Sequence, residues 1–211
     1  MKGMLIACEG LDCSGKTTAI KEILKGNDKR FVYSKGIGSS RWIGKISRRV
    51  PSTIMFLTEL AYITLTETRP HLNRGRIVLQ DRHDISITSY VPSARRLHNR
   101  LLIRLFKPLI KTPDAIVYFS LPLSERIRRL REKGAKYELM LADNPSLIIA
   151  REKEYMGWYK NFSEPKLKID TDKNDIKQTA RMLREFITRL TNDYPALAPK
   201  NDNFAKIKSF K

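Results

Sequence analysis

Gly10-Leu11-Asp12-Cys13-Ser14-Gly15-Lys16-Thr17 matches the pattern G-x-x-x-x-G-K-[ST] at every fixed position, and its flanks decide the fold. The apolar run Met4-Leu5-Ile6-Ala7-Cys8 before it reads as a buried strand, and after it Ala19, Ile20, Ile23 and Leu24 recur at helical spacing. Strand, glycine loop and helix together are the context of a phosphate-binding loop. Glycines at the two ends let the backbone turn tightly, so that successive N–H groups converge on one anion at a helix N-terminus. Lys16 adds a mobile cation for the terminal phosphates, and the Thr17 hydroxyl is a hard oxygen ligand suited to Mg²⁺. The segment is predicted to hold a nucleoside triphosphate.

Working outward, Phe31 to Ser34, Arg76 to Gln80, the stretch after Pro113-Asp114, and Leu167 to Ile169 read as further strands. Helices are predicted over Arg41–Arg49, Ile54–Leu72, Leu101–Ile110, Leu123–Lys133, Ser146–Lys160 and Asn174–Leu190, with Pro51-Ser52-Thr53 as a stop and new N-cap. Residues Gly134–Pro145 read as a charged loop in the place of a small helical lid. Five strands alternating with helices predict an α/β fold, a mostly parallel sheet with helices on both faces. Ligands in such sheets bind beyond the C-terminal ends of the strands. Gly10, the Lys35–Ser40 loop, Asp81-Arg82 and Asp170-Thr171 all fall there. One domain over residues 1–192 is expected, followed by a loosely held basic tail over 193–211.

Composition narrows the class. With 41% hydrophobic residues in 211 the chain can build one sizeable core. No apolar run approaches the ~20 residues of a bilayer span and no signal-peptide pattern opens the chain, so a cytoplasmic protein is expected. Cys8 and Cys13 alone make no disulfide framework. The net charge of +19 suits phosphate-rich partners. It comes without a nucleic-acid-binding motif or interleaved aromatics, so nucleotides rather than nucleic acid are the expected partners.

Asp81-Arg82 is the second chemical signal. A carboxylate leaving a strand can hold Mg²⁺ or accept a proton from an acceptor hydroxyl, and the adjacent guanidinium can fork onto a phosphate.

Several pieces in order now resemble the thymidylate kinases of the P-loop kinase group. Glu9-Gly10-Leu11-Asp12-Cys13-Ser14-Gly15-Lys16-Thr17-Thr18 is similar to the family's E-G-x-D-x-x-G-K-[ST]-T. The run from Pro70 to Asp84 is similar to P-x-L-x-x-G-x-V-I-x-D-R-[YH]-D. Pro113-Asp114, Pro122 and Arg126-Ile127 resemble its next strand–helix segment. The resemblance implies the P-loop kinase fold, ATP and Mg²⁺ as cofactors, dTMP as acceptor and a homodimer. It implies that Gly10, Asp12, Cys13, Ser14, Gly15, Lys16, Thr17, Thr18 and Thr171 bind ATP, and that Thr17 and Asp81 hold the metal. On the acceptor side it implies Asp12 at the sugar, Lys35 and Arg82 at the phosphate, and Phe56, Ser86 and Tyr90 around the nucleotide. Lys16, Asp81 and Arg82 are the expected catalytic residues, with Arg129 and Lys136 chosen from the lid cations Arg128, Arg129, Arg131, Lys133, Lys136 and Arg151.

The chain also departs from that pattern. Ala61 stands where the family carries an Arg that contacts thymine, Val91 follows Tyr90 in place of a Gln, and Lys35 stands in a loop that has lost the family's Glu and Pro. These losses predict weaker discrimination between acceptor bases. Two other readings stay open at this stage: a deoxynucleoside kinase with Glu9 as base, and a non-catalytic nucleotide- or nucleic-acid-binding protein.

Overall fold

In the structure, a computed structural model, residues 3–39, 42–49, 52–91 and 97–193 are described. The predicted tail therefore lies outside the described residues, apart from Asp193 itself. Five strands, β1 (Met4–Glu9), β2 (Phe31–Lys35), β3 (Ile77–Asp81), β4 (Ala115–Ser120) and β5 (Lys166–Asp170), form one sheet in the order β2-β3-β1-β4-β5. Every pairing is parallel, with Ile6 opposite Leu79 on one side and Ala115 on the other. The central strands β1, β3 and β4 are buried along their whole length, as parallel strands covered on both faces must be.

The period of two then sorts the side chains. Met4, Ile6, Cys8, Ile77, Leu79, Ala115, Val117 and Phe119 face α1 (Lys16–Lys25) and α10 (Ile176–Asp193) in the main core. Leu5 and Val78 point the other way, against Leu72, and Tyr118 points into a separate cluster under the lid helices. Asp175 and Gln178 start α10 with a reciprocal cap: Gln178 N donates to Asp175 Oδ1 at 2.8 Å and Asp175 N donates to Gln178 Oε1 at 2.9 Å.

Three regions differ from the sequence-based expectation. The long helix predicted over residues 54–72 is α3 (Thr53–Ile63), a π-helical turn (Thr64–Thr68) and α4 (Arg69–Asn73). Pro70 lacks an N–H and crowds the carbonyl four residues back, and the wider π turn relieves both. The N-cap was legible: Ser52 Oγ accepts from Met55 N at 3.3 Å. Within the expected small helical lid, the stretch read as a charged loop itself carries a helix, α8 (Lys136–Ala142), packed between α7 (Leu123–Lys133) and α9 (Pro145–Asn161), because Leu141 and Ala142 bury against Leu130 and Ile148. Residues Asp84–Tyr90 form a short helix, α5, for which the sequence showed no clear period. The remaining helices are α2 (Trp42–Arg49) and α6 (Leu97–Phe106). No helix among the described residues is long and apolar enough to cross a membrane.

Candidate active site

β1 ends at Glu9, and the loop turns at Gly10 with φ 142°. A Cβ there would lie 2.5 Å from the Phe119 carbonyl oxygen, so only glycine fits. Cys13 takes φ 61° and Gly15 φ 79°, the left-handed turns that point successive amides inward before α1 begins at Lys16. Burial raises the Cys13 thiol pKa, so this side chain is not an activated thiolate. Lys16 Nζ donates to Gly10 O at 2.8 Å, Leu11 O at 3.0 Å and Ser14 Oγ at 3.2 Å. Burial lowers its pKa to about 8, with Arg82 repelling it and Asp81, Asp12 and Glu9 opposing the shift. Thr18 is exposed on α1.

Beside the loop, the parallel register of β1 and β3 sets Asp81 opposite Cys8, and the Thr17 hydroxyl donates to Asp81 Oδ2. A hydroxyl and a carboxylate side by side are hard oxygen donors of the kind Mg²⁺ takes when phosphates and water complete its shell. Among the described residues no cluster of three or more His, Cys, Asp or Glu side chains could hold a metal by itself.

Arg82 follows with φ 76°, a strained conformation for a non-glycine residue. Neighbours pin it: Arg82 N donates to Cys8 O at 3.1 Å, Gln80 Nε2 donates to Arg82 O at 3.3 Å, and His83 N donates to Glu9 Oε1 at 2.5 Å. The backbone turn throws the guanidinium back over the loop, where Nη2 pairs with Asp12 Oδ1. Tyr90, carried by α5, donates its hydroxyl to Asp12 Oδ2 at 2.7 Å. Two cations lie over the Tyr90 ring, Arg82 at 4.6 Å and Arg151 of α9 at 4.4 Å. Burial pulls the Asp12 carboxyl upward, but Arg82 and Lys16, with the Tyr90 hydroxyl, outweigh it and hold it below its ordinary value.

A buried polar layer supports this cluster. Glu9 is fully buried; the Ser86 and Tyr155 hydroxyls reach its Oε2 at 3.0 and 3.3 Å and lie 2.8 Å from each other. Burial raises the Glu9 pKa to about 7, against the pull of the His83 amide and Arg82. Arg126, equally buried, donates from Nη1 to Asp12 O at 2.9 Å and from Nη2 to Leu121 O and Glu152 Oε2, both at 3.2 Å. Tyr118 donates to the same Glu152.

The expected residues thus divide. Gly10 to Thr17, Asp81, Arg82 and Tyr90 converge within one neighbourhood. Thr171 borders the loop through its methyl group, 3.8 Å from where a Cβ on Gly15 would stand. Arg129 donates to Thr171 O at 3.1 Å and to Glu125 Oε1 at 2.7 Å, which directs it to the rim rather than to Lys16. Lys136 opens α8 with its side chain exposed and without a hydrogen bond to the loop. Lys35 ends β2 opposite Asp81. Phe56 is buried among Ile37, Leu60, Ile87 and Val91. Ser86 belongs to the layer beneath Glu9 and does not line an open cleft.

Sequence reasoning named Arg126 only as part of a resemblance, without a role in the site, passed over Tyr155 and Glu59, and did not single out Arg151 among the lid cations. Glu59 had a signal, a carboxylate inside an otherwise apolar helix, which must find partners if buried. Arg151 had none, since a basic helix face reads the same whether it meets solvent or an active site, and Tyr155 stood in no motif. A separate cavity of about 280 Å³, lined by Met4, Lys111, Pro113, Asp114 and Glu164, opens at the N-terminal edge of the strands, remote from the loop.

Comparison with known proteins places the chain in a family. The family model described as thymidylate kinase matches residues 8–183. A probable thymidylate kinase of Methanoculleus marisnigri is 30% identical over 178 residues, covering 73% of this chain and 80% of the relative. The thymidylate kinase of Idiomarina loihiensis is 28% identical over 153 residues, 64% of this chain and 73% of its own. Among solved structures, thymidylate kinase from Candida albicans superposes with a TM-score of 0.64 at 20% identity, over 90% of this chain and 93% of that one. The Ehrlichia chaffeensis thymidylate kinase superposes at 0.65 with 16% identity, over 89% and 100%. At these identities the structural likeness speaks to the fold.

Proposed function

The chain belongs to the thymidylate kinase family of nucleoside monophosphate kinases, which use ATP as phosphate donor; from that premise we propose that it transfers the γ-phosphoryl of ATP to dTMP, with Mg²⁺. The observation that carries the reading is the meeting of Arg82, Asp12 and Tyr90 directly beside Lys16 and the loop amides. Donor grip and an acceptor-facing cation then share one space.

In this reading the loop amides and Lys16 hold the donor phosphates, and Lys16 gives up its carbonyl contacts for phosphate oxygens. Thr17 and Asp81 would hold Mg²⁺, which when bound would supply charge neutralisation for the phosphates. Arg82 and Lys35 take the acceptor phosphate, and Asp12, kept ionised by its cationic neighbours, accepts a hydrogen bond from the sugar. Arg151, stacked on Tyr90, is better placed than Arg129 or Lys136 to compensate charge at the transferred group. Positioning and charge compensation carry the rate. The nucleoside-kinase alternative needs Glu9 as an accessible base. Both of its oxygens are instead engaged in a buried network, which supports the monophosphate reading.

Family resemblance extends the proposal to a cytoplasmic homodimer. The exposed apolar residues Ile54, Tyr62 and Leu65 on α3 and its π turn, and Leu101 and Leu105 on neighbouring α6, support it. An ATP-dependent assay against thymidine, dTMP, dUMP, dCMP and dGMP tests the reaction. Turnover of monophosphates is expected, with dTMP favoured over dUMP less sharply than a pocket carrying Arg and Gln at positions 61 and 91 would allow. Phosphorylation of thymidine alone would overturn the proposal.

A further inference from the structure

We propose that Glu59 is a positioning residue for the acceptor side of the cleft, its buried carboxylate fixing the loop after β2 that packs against Arg82. The inference rests on the reading that Lys35 and Arg82 receive the acceptor phosphate.

Glu59 lies in α3 among Phe56, Leu57, Leu60 and Ile63, and it is 0% exposed. A carboxylate in such surroundings persists only with strong partners. Its partners include two consecutive backbone amides of the loop after β2. Gly38 N donates to Oε2 at 3.0 Å and Ser39 N donates to Oε1 at 2.8 Å. Gly38, at φ 75°, provides the left-handed turn that aims both N–H groups at one anion. Between the anchors, Ile37 is buried against Phe56.

The other end of the same loop is tied to the site. Gly36 N donates to Asp81 O at 2.9 Å, and a Cβ on Gly36 would stand 1.9 Å from the Arg82 carbonyl oxygen. Loop and Arg82 backbone are therefore in direct contact, and the strained Arg82 turn has the loop as one wall. Glu59 holds the far side of that wall. Its oxygens occupy the Gly38 and Ser39 amides, which are therefore not offered to an acceptor phosphate. A charge-assisted grip on two amides ties the loop's position, and with it the wall against the Arg82 backbone, to Glu59 of α3.

The test uses the full-length chain with Glu59→Gln and Glu59→Ala. The near-isosteric Gln variant keeps the shape but removes the charge and one acceptor, so it remains informative if the Ala variant does not fold. Glu59→Gln is expected to raise KM for dTMP about tenfold while KM for ATP stays within about twofold. In the ligand-free protein, hydrogen exchange at the Gly38 and Ser39 amides is expected to be slow and to speed up in the variant. Both KM values moving together, neither moving, or the two amides exchanging equally fast in wild type and variant would overturn the proposal. If wild type phosphorylates no monophosphate, the proposed reaction fails instead, and the exchange measurement still decides whether Glu59 holds the loop.

Discussion

The two sides of the cleft are built differently. On the donor side Lys16 contacts Gly10, Leu11 and Ser14, none more than six residues away. On the other side Asp12 meets Arg82 across 70 residues and Tyr90 across 78, and Arg126 reaches its carbonyl across 114. Ser86 and Tyr155 reach Glu9 across 77 and 146 residues. A phosphate grip made of neighbouring backbone amides needs only a local conformation. A clamp of alternating charges has to be carried to one place by the sheet and by α5, α7 and α9. The first kind of site is a motif; the second is a product of packing.

The sharpest break should come on the local side. Lys16→Ala removes the one cation embedded in the loop, and a kcat loss of about a thousandfold is expected in a folded protein. Circular dichroism with steady-state kinetics checks it, and near-normal turnover would remove the loop from the reaction. Next comes the seam between the sides. Asp81→Asn keeps the strand but weakens the oxygen pair with Thr17, and kcat should fall by between about a hundred- and a thousandfold with little change in KM for ATP. A defect confined to ATP affinity would contradict that division.

The buried layer beneath the clamp supplies the third. Folding raises the Glu9 pKa from 4.5 to about 7. The stability this group contributes is fully present below pH 4.5 and is lost as pH rises to 7, a change on the order of 2 to 3 kcal/mol. Glu9→Gln has no such titration. Wild-type Tm minus variant Tm should therefore fall by about 6 °C or more between pH 4.5 and 7.5; taking the difference cancels the groups that do not interact with Glu9, while His83, which Glu9 helps to keep protonated, titrates with it. A pH-independent difference would show that Glu9 does not titrate in that window. The smallest effect should sharpen the comparison most. Tyr90→Phe keeps the ring under both guanidinium groups and removes only the hydroxyl on Asp12. KM for dTMP should rise about fivefold while ATP binding by calorimetry is unchanged. An equal effect on both substrates would mean the two sides of the cleft are not separable.

Sequence alone determined the strand–loop–helix at residues 4–25, the five parallel strands, and the edge of the sheet where Gly10, Asp81 and Thr171 gather. Each rests on short-range chemistry: glycines where the backbone turns, a two-residue or 3.6-residue period of apolar side chains, and an N-cap at Ser52. Helix α5 escaped because seven residues are too few to display a period. A helical lid was expected, but α8 itself read as a loop, because its apolar residues are buried by α7 and α9 and show no pattern of their own. Only the tertiary structure decided which charges work together. Arg126, Arg129, Arg151 and Lys136 look alike along the chain. Burial and the direction of each helix set Arg126 under Asp12, Arg151 over Tyr90 and Arg129 at Thr171, and leave Lys136 in solvent. A charge acts by its distance to other charges and by the dielectric around it, and neither quantity exists until the chain has packed.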